Sequence, residues 1–139
     1  MEPADQPGHG PNKGEAKMRE PWTHVLLSDL EEERDDLYGY YDLSKVLRLD
    51  KLRANIFRFH PGEKMEYHSH REQEELFFVM EGTCTLVVDG VRSELSPGSL
   101  VRLDPRPRRQ IRNDGEHDCV WLAVGAPGID NEWVEHTEE

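Results

Sequence analysis

The chain has 139 residues, with 29 acidic against 17 basic side chains and a formal net charge of −12. That length allows one domain with a real core and is short for two. The negative charge argues against nucleic-acid phosphates and anionic lipid as partners, since both would be repelled. No apolar run approaches the roughly 18 residues of a membrane span, and no charged-then-apolar secretion signal opens the chain, so a cytoplasmic protein is expected.

Residues 1–21, MEPADQPGHGPNKGEAKMREP, are rich in Pro, Gly and charge and predict a disordered tail. In the segment from Trp22, Ser28 or Asp29 is placed to cap one helical turn running through LEEERDD. Short apolar, β-branched or aromatic runs follow, among them YYDLSKVLRL, RANIFRFH, EELFFVM, TCTLVVD and CVWLAVGA, separated by turn chemistry. Asp89-Gly90 suits a two-residue turn between strands, SPGS supplies another turn, and the prolines of DPRPRR exclude a central strand. Short strands at this spacing predict an antiparallel all-β sandwich or barrel over residues 22–127.

Cys84 and Cys119 each lie inside an apolar run without C-x-x-C spacing, so buried small hydrophobes are expected rather than disulfide halves. Residues 128–139 are expected as a short acidic C-terminal tail. This patch and DLEEERDD, residues 29–36, are read as solvated surface, with adaptation to a salty cytoplasm as the sharper alternative.

The chemistry concentrates in YHSHREQEEL, residues 67–76. His68 and His70 are two apart, which on a strand turns both imidazoles to one face, where they can reach one metal ion. A third ligand must come from elsewhere, and Glu72, Glu74 and Glu75 are the nearby acids. The period of two puts Glu75 on the face of Phe77 and Val79, opposite Glu74.

Residues 62–82 resemble the first signature of the cupin superfamily: glycine, five residues, H-x-H, three or four residues, glutamate, six residues, glycine. Gly62, His68, His70, Glu75 and Gly82 fill every fixed position, and Glu74 would misplace the last glycine. The resemblance extends over residues 53–126. It implies a double-stranded β-helix, the cupin or jelly-roll barrel, with His68, His70 and Glu75 as metal ligands inside it. It also implies a homodimer formed through sheet faces, with which the LFFVM and WLAV strands are consistent.

The second signature of the family keeps its register and loses its residues. With Gly98 and Asn113 on its end positions, Asp104 stands for the proline, Arg106 for the glycine, and Arg109 for the fourth ligand, a histidine. A guanidinium stays protonated and cannot ligate a cation. What remains is a two-histidine, one-carboxylate set that suits Fe(II) and also admits Mn, Zn, Ni or Cu.

Turned inward, Arg109 would clamp an anionic substrate; turned outward with Arg106 and Arg108, it would form a basic rim. The expected function is metal-dependent binding or conversion of a small, anionic molecule, with oxygenase- or isomerase-like chemistry. The alternative is a metal-free small-molecule-binding or regulatory module, with Arg109 bridged to Glu75 in place of a metal. His60 and His117 are expected at a strand end and an exposed turn. Tyr67, Phe57, Phe59, Phe77 and Trp121 are expected to fill the barrel, a dimer face or a ligand pocket.

Overall fold

Alternate residues of RANIFRF and EELFFVME turn to opposite sides, and the aromatic and branched side chains on one side, Phe57, Phe59, Phe77 and Val79, are almost wholly buried. That alternation organises the structure, a computed structural model that describes residues 19–137. The strands are β1 (Glu33–Arg34), β2 (Gly39–Asp42), β3 (Arg53–Phe59), β4 (His68–His70), β5 (Glu74–Glu81), β6 (Cys84–Val88), β7 (Val91–Leu95), β8 (Leu100–Leu103), β9 (Arg109–Arg112), β10 (Cys119–Ala126) and β11 (Trp133–Glu135). They form two antiparallel sheets, ordered β1-β2-β3-β10-β5-β8 and β11-β4-β9-β6-β7.

The predicted antiparallel all-β barrel is present. One apolar cluster joins Phe57, Phe59, Phe77, Val79 and Trp121 of the first sheet to Leu86 and Ile111 of the second. Each such burial contributes roughly 1.5–3 kcal/mol. Asp89 and Gly90, both at positive φ, make the expected turn, with Val88 opposite Val91. At Gly82, also at positive φ, a Cβ would collide with the Asp118 carbonyl, which accounts for the glycine that closes the HxH motif. On the outer face of β5 and β8, Leu76 and Leu100 are exposed.

Four expectations change. The predicted helical turn through residues 30–36 is instead a 3₁₀ turn at Leu27–Asp29 followed by β1, and no side chain caps it. The run YYDLSKVLRL holds β2 and then a short helix, α1 (Leu43–Leu47), because the Asp42 carboxylate accepts the Lys45 N–H and starts a helical turn. Cys84 and Cys119 form a disulfide, since β6 and β10 begin at the same end of the barrel, with Cα atoms 5.7 Å apart.

The barrel also continues past residue 127. β11 pairs with β4, placing Trp133 opposite His70 and Glu135 opposite His68, so much of the expected acidic tail belongs to the second sheet. Trp133 and Val134 supply the apolar contacts that a free tail lacks. Of the expected disordered tail, residues 1–21, residues 1–18 lie outside the described residues, as do 138 and 139, whereas Arg19 is described and donates to the Arg48 carbonyl.

Candidate metal centre and its pocket

All three residues of β4 are buried, and its pleat turns His68 and His70 to one side. Ser69 turns the other way, its hydroxyl 2.8 Å from His136 Nε2. Glu75, near the start of β5, faces inward on the side of Phe77. One ligating atom from each of His68, His70 and Glu75 lies within 4.8 Å of the other two.

His68 Nδ1 is 2.8 Å from the Glu66 carbonyl. A carbonyl only accepts, so the hydrogen sits on Nδ1 and Nε2 keeps its lone pair. Trp133 lies flat on this ring, with centroids 3.6 Å apart and planes 7° apart. Burial pushes the His68 pKa down to about 3, against the pull of Glu75, so the imidazole is neutral as a ligand must be.

His70 Nε2 stands 3.4 Å from Glu75 Oε2, and its Nδ1 stands 3.8 Å from Glu132 Oε1. Neither ring nitrogen makes a hydrogen bond, and Glu75 Oε1 makes none. Burial works to raise the Glu75 carboxyl, but His70 beside it, with Arg109 and His68, brings it below its ordinary value. Each unpartnered buried polar atom costs on the order of 1–3 kcal/mol. Two buried imidazoles and a carboxylate, converging with both His70 nitrogens and one Glu75 oxygen free of hydrogen bonds, fit a divalent metal ion.

Arg109 has another occupation than anion contact. Its side chain is fully buried, Nη1 donates to the carbonyls of Pro105 and Pro107, and Nη2 donates to that of Asp104. Prolines offer no N–H, so this loop has carbonyls to spare, and the guanidinium gathers them. Nε lies 3.4 Å from Glu75 Oε1. Arg109 therefore docks the DPRPRR loop behind the carboxylate, and it is not among the residues that line the cavity.

That cavity opens beside the three ligand side chains. Its walls include Phe57, Phe77, Trp121 and Trp133, with Arg53, Asn55 and Gln73 as further polar members. Arg53 and Asn55 escaped the sequence reading, although the alternation of RANIFRF puts both on the inward face of Phe57 and Phe59. Glu132 escaped as well. It is 1% exposed, and its carboxylate accepts the backbone N–H groups of Glu72 and Gln73, tying the segment between the histidines and Glu75 to β11. The Trp-Val pair within the acidic end was the available signal. His60 is exposed and pairs with Asp118 at the far end of the barrel, and His117 is exposed.

A small antiparallel barrel with two histidines on one strand and a glutamate on the next defines a class of β-barrel binding and catalytic domains. The family model described as "Cupin domain" matches residues 55–125, and the chain belongs to that family.

Among solved structures, the polyketide cyclase RemF from Streptomyces resistomycificus superposes with a TM-score of 0.73 at 20% identity, over 84% of this chain and 87% of that one. A sugar phosphate isomerase of the cupin superfamily from Silicibacter pomeroyi superposes with a TM-score of 0.66 at 24% identity, over 75% of each chain. The endoribonuclease YbeY of Myxococcus xanthus is 41% identical over 59 residues, which are 42% of this chain and 20% of that protein. The chain spans less than two thirds of the length of the curated relatives it matches.

Proposed function

We propose that this cupin holds one divalent metal ion through His68, His70 and Glu75 and acts on a small anionic molecule in the adjoining cavity. The supporting observation is the convergence of three buried ligand atoms within 4.8 Å, with both His70 nitrogens and Glu75 Oε1 making no hydrogen bond. A metal ion bound there supplies a Lewis acid at the cavity wall. Trp133 and Glu132 hold the two histidines in place, while Phe57, Phe77 and Trp121 keep water from the cavity. Fe(II) suits the donor set best, and Mn, Zn, Ni or Cu are its competitors.

Anaerobic titration of the full chain with each of these ions is expected to give one ion bound per chain, abolished in the His68→Ala, His70→Ala variant. Glu132→Gln is expected to weaken binding roughly tenfold or more, because the carboxylate behind His70 is lost. Absence of stoichiometric binding, or equal binding by the double variant, overturns the proposal.

The approach of Arg109 Nε to Glu75 Oε1 favours a second reading, in which the guanidinium replaces the metal and the cavity serves as a metal-free binding or regulatory module. In that case a ligand-dependent rise in melting temperature persists in chelator.

A further inference from the structure

Register places Arg53 opposite Gly125 of β10, and Gly125 opposite Glu75 of β5. The three residues form one row across the sheet, on the face that carries Phe57, Ala123 and Phe77. Strands are about 4.8 Å apart, so the Cα atoms of Arg53 and Glu75 are roughly 10 Å apart. The residue between them has no side chain. A Cβ on Gly125 would come within 2.6 Å of Gln73 Oε1, another atom of the cavity wall. A strip of bare backbone therefore separates the candidate metal ligands from an arginine.

That arginine is buried, at 7% exposure, and only partly used. Nη2 donates to Asp130 Oδ1 at 2.7 Å, which anchors the guanidinium from the solvent side, while Nε and Nη1 have no hydrogen-bond partner. Two further wall residues are in the same state: Asn55 Oδ1 and Trp121 Nε1 are buried and unpartnered. Nε and Nη1 are two separate donors of one fixed positive charge, each free to bond an oxygen of an anion in the cavity. Arg109, by contrast, has both terminal nitrogens on backbone carbonyls.

We infer that the cavity binds a short organic anion, with its carboxylate on Arg53 and a second oxygen function at the other end, toward His68, His70 and Glu75. The second contact rests on the metal reading above; the first does not. The cavity volume of about 50 Å³ has room for roughly four waters, which limits the ligand to a short chain. The class is a short-chain acid with oxygen at both ends. Trp121 Nε1 and Asn55 then bond to polar groups along the chain.

The test titrates the full-length protein by calorimetry with succinate and with its neutral analogue succinamide, once loaded with Mn(II) and once in EDTA. Succinate is expected to bind both forms, more tightly with Mn(II), and succinamide about tenfold or more weakly. Arg53→Gln is expected to cost about tenfold or more in succinate affinity while leaving the Mn(II) affinity at the wild-type value. Equal binding of succinate and succinamide by the unaltered protein overturns the assignment and requires no variant to fold. So does wild-type succinate affinity in Arg53→Gln, or failure of succinate to bind either form. If none of Fe(II), Mn(II), Zn(II), Ni(II) and Cu(II) binds but succinate binds through Arg53, the anion site stands and the metal reading falls.

Discussion

At one end of the barrel, Asn113 is fully buried, its amide hydrogens taken by the carbonyls of Phe59 and His117 and its oxygen by the Gly115 N–H. At the other end, His70, Glu75 and Arg53 are nearly as deep, with polar atoms that make no hydrogen bond to the protein. The Asn113 end is also closed by the Cys84–Cys119 bond and filled by Phe59. Satisfied and unsatisfied polar groups thus separate by place, and the separation divides the labour. One end is closed by satisfied polar groups and a disulfide, and the other leaves polar atoms free of hydrogen bonds, which is where the proposed ligand would sit.

If that division is right, damage to the closed end costs stability and spares binding. Phe59→Ala carries the largest expected effect, about 3–5 kcal/mol of unfolding free energy from a cavity in the aromatic cluster, measured by denaturant titration. The folded fraction keeps wild-type metal affinity; a parallel loss of affinity would break the comparison. Next comes Cys84→Ala with Cys119→Ala, which opens a loop closed across a sequence separation of 35 and costs about 3 kcal/mol. Melting in reductant measures the same quantity without a variant. Such bonds persist in oxidising compartments and are reduced in most cytoplasms. Free thiols in protein purified from its native source would therefore place it on the cytoplasmic side, and an intact bond would count against that expectation.

The smallest effect sharpens the point, because it concerns charge rather than packing at the closed end. Burial works to raise the Glu63 carboxyl, but Arg34, 2.7 Å away, and the His60 N–H bring it below its ordinary value of 4.5. A carboxyl lowered on folding adds stability above its unfolded pKa and loses it as pH falls through the lowered one. Glu63→Gln is expected to cost less than about 1 kcal/mol at neutral pH, since the pair is partly solvated. The difference from wild type should vanish in acid, as followed by thermal melts across pH. A loss as large as that of Phe59→Ala would show that ion pairs, not packing, close this end.

Much of this was legible in the residues. The spacing of Gly62, His68, His70, Glu75 and Gly82 located the His-His-Glu cluster, because the period of a strand and the positive φ of its flanking turns are local properties. Asp89-Gly90 marked its turn for the same reason. Contacts between distant segments were not legible in this way. The disulfide depends on where β6 and β10 begin in space, and β11 depends on a match with β4 more than 60 residues earlier. Arg109 was placed in register but not in role, because its carbonyl partners come from loop backbone, which no pattern of side chains announces. Arg53 could have been read from alternation, but its orphaned donors appear only once the walls around them stand.

β11 also sets an order of assembly. His68, His70 and Glu75 lie early in the barrel, yet the strand that lays Trp133 on His68 and sets Glu132 behind His70 is translated after every other described strand. A half-made chain therefore carries the histidines without their supports. If the proposed metal site is right, a chain cut before Trp133 is expected to bind the ion more weakly than the full chain, because the histidines then lack the groups packed against them.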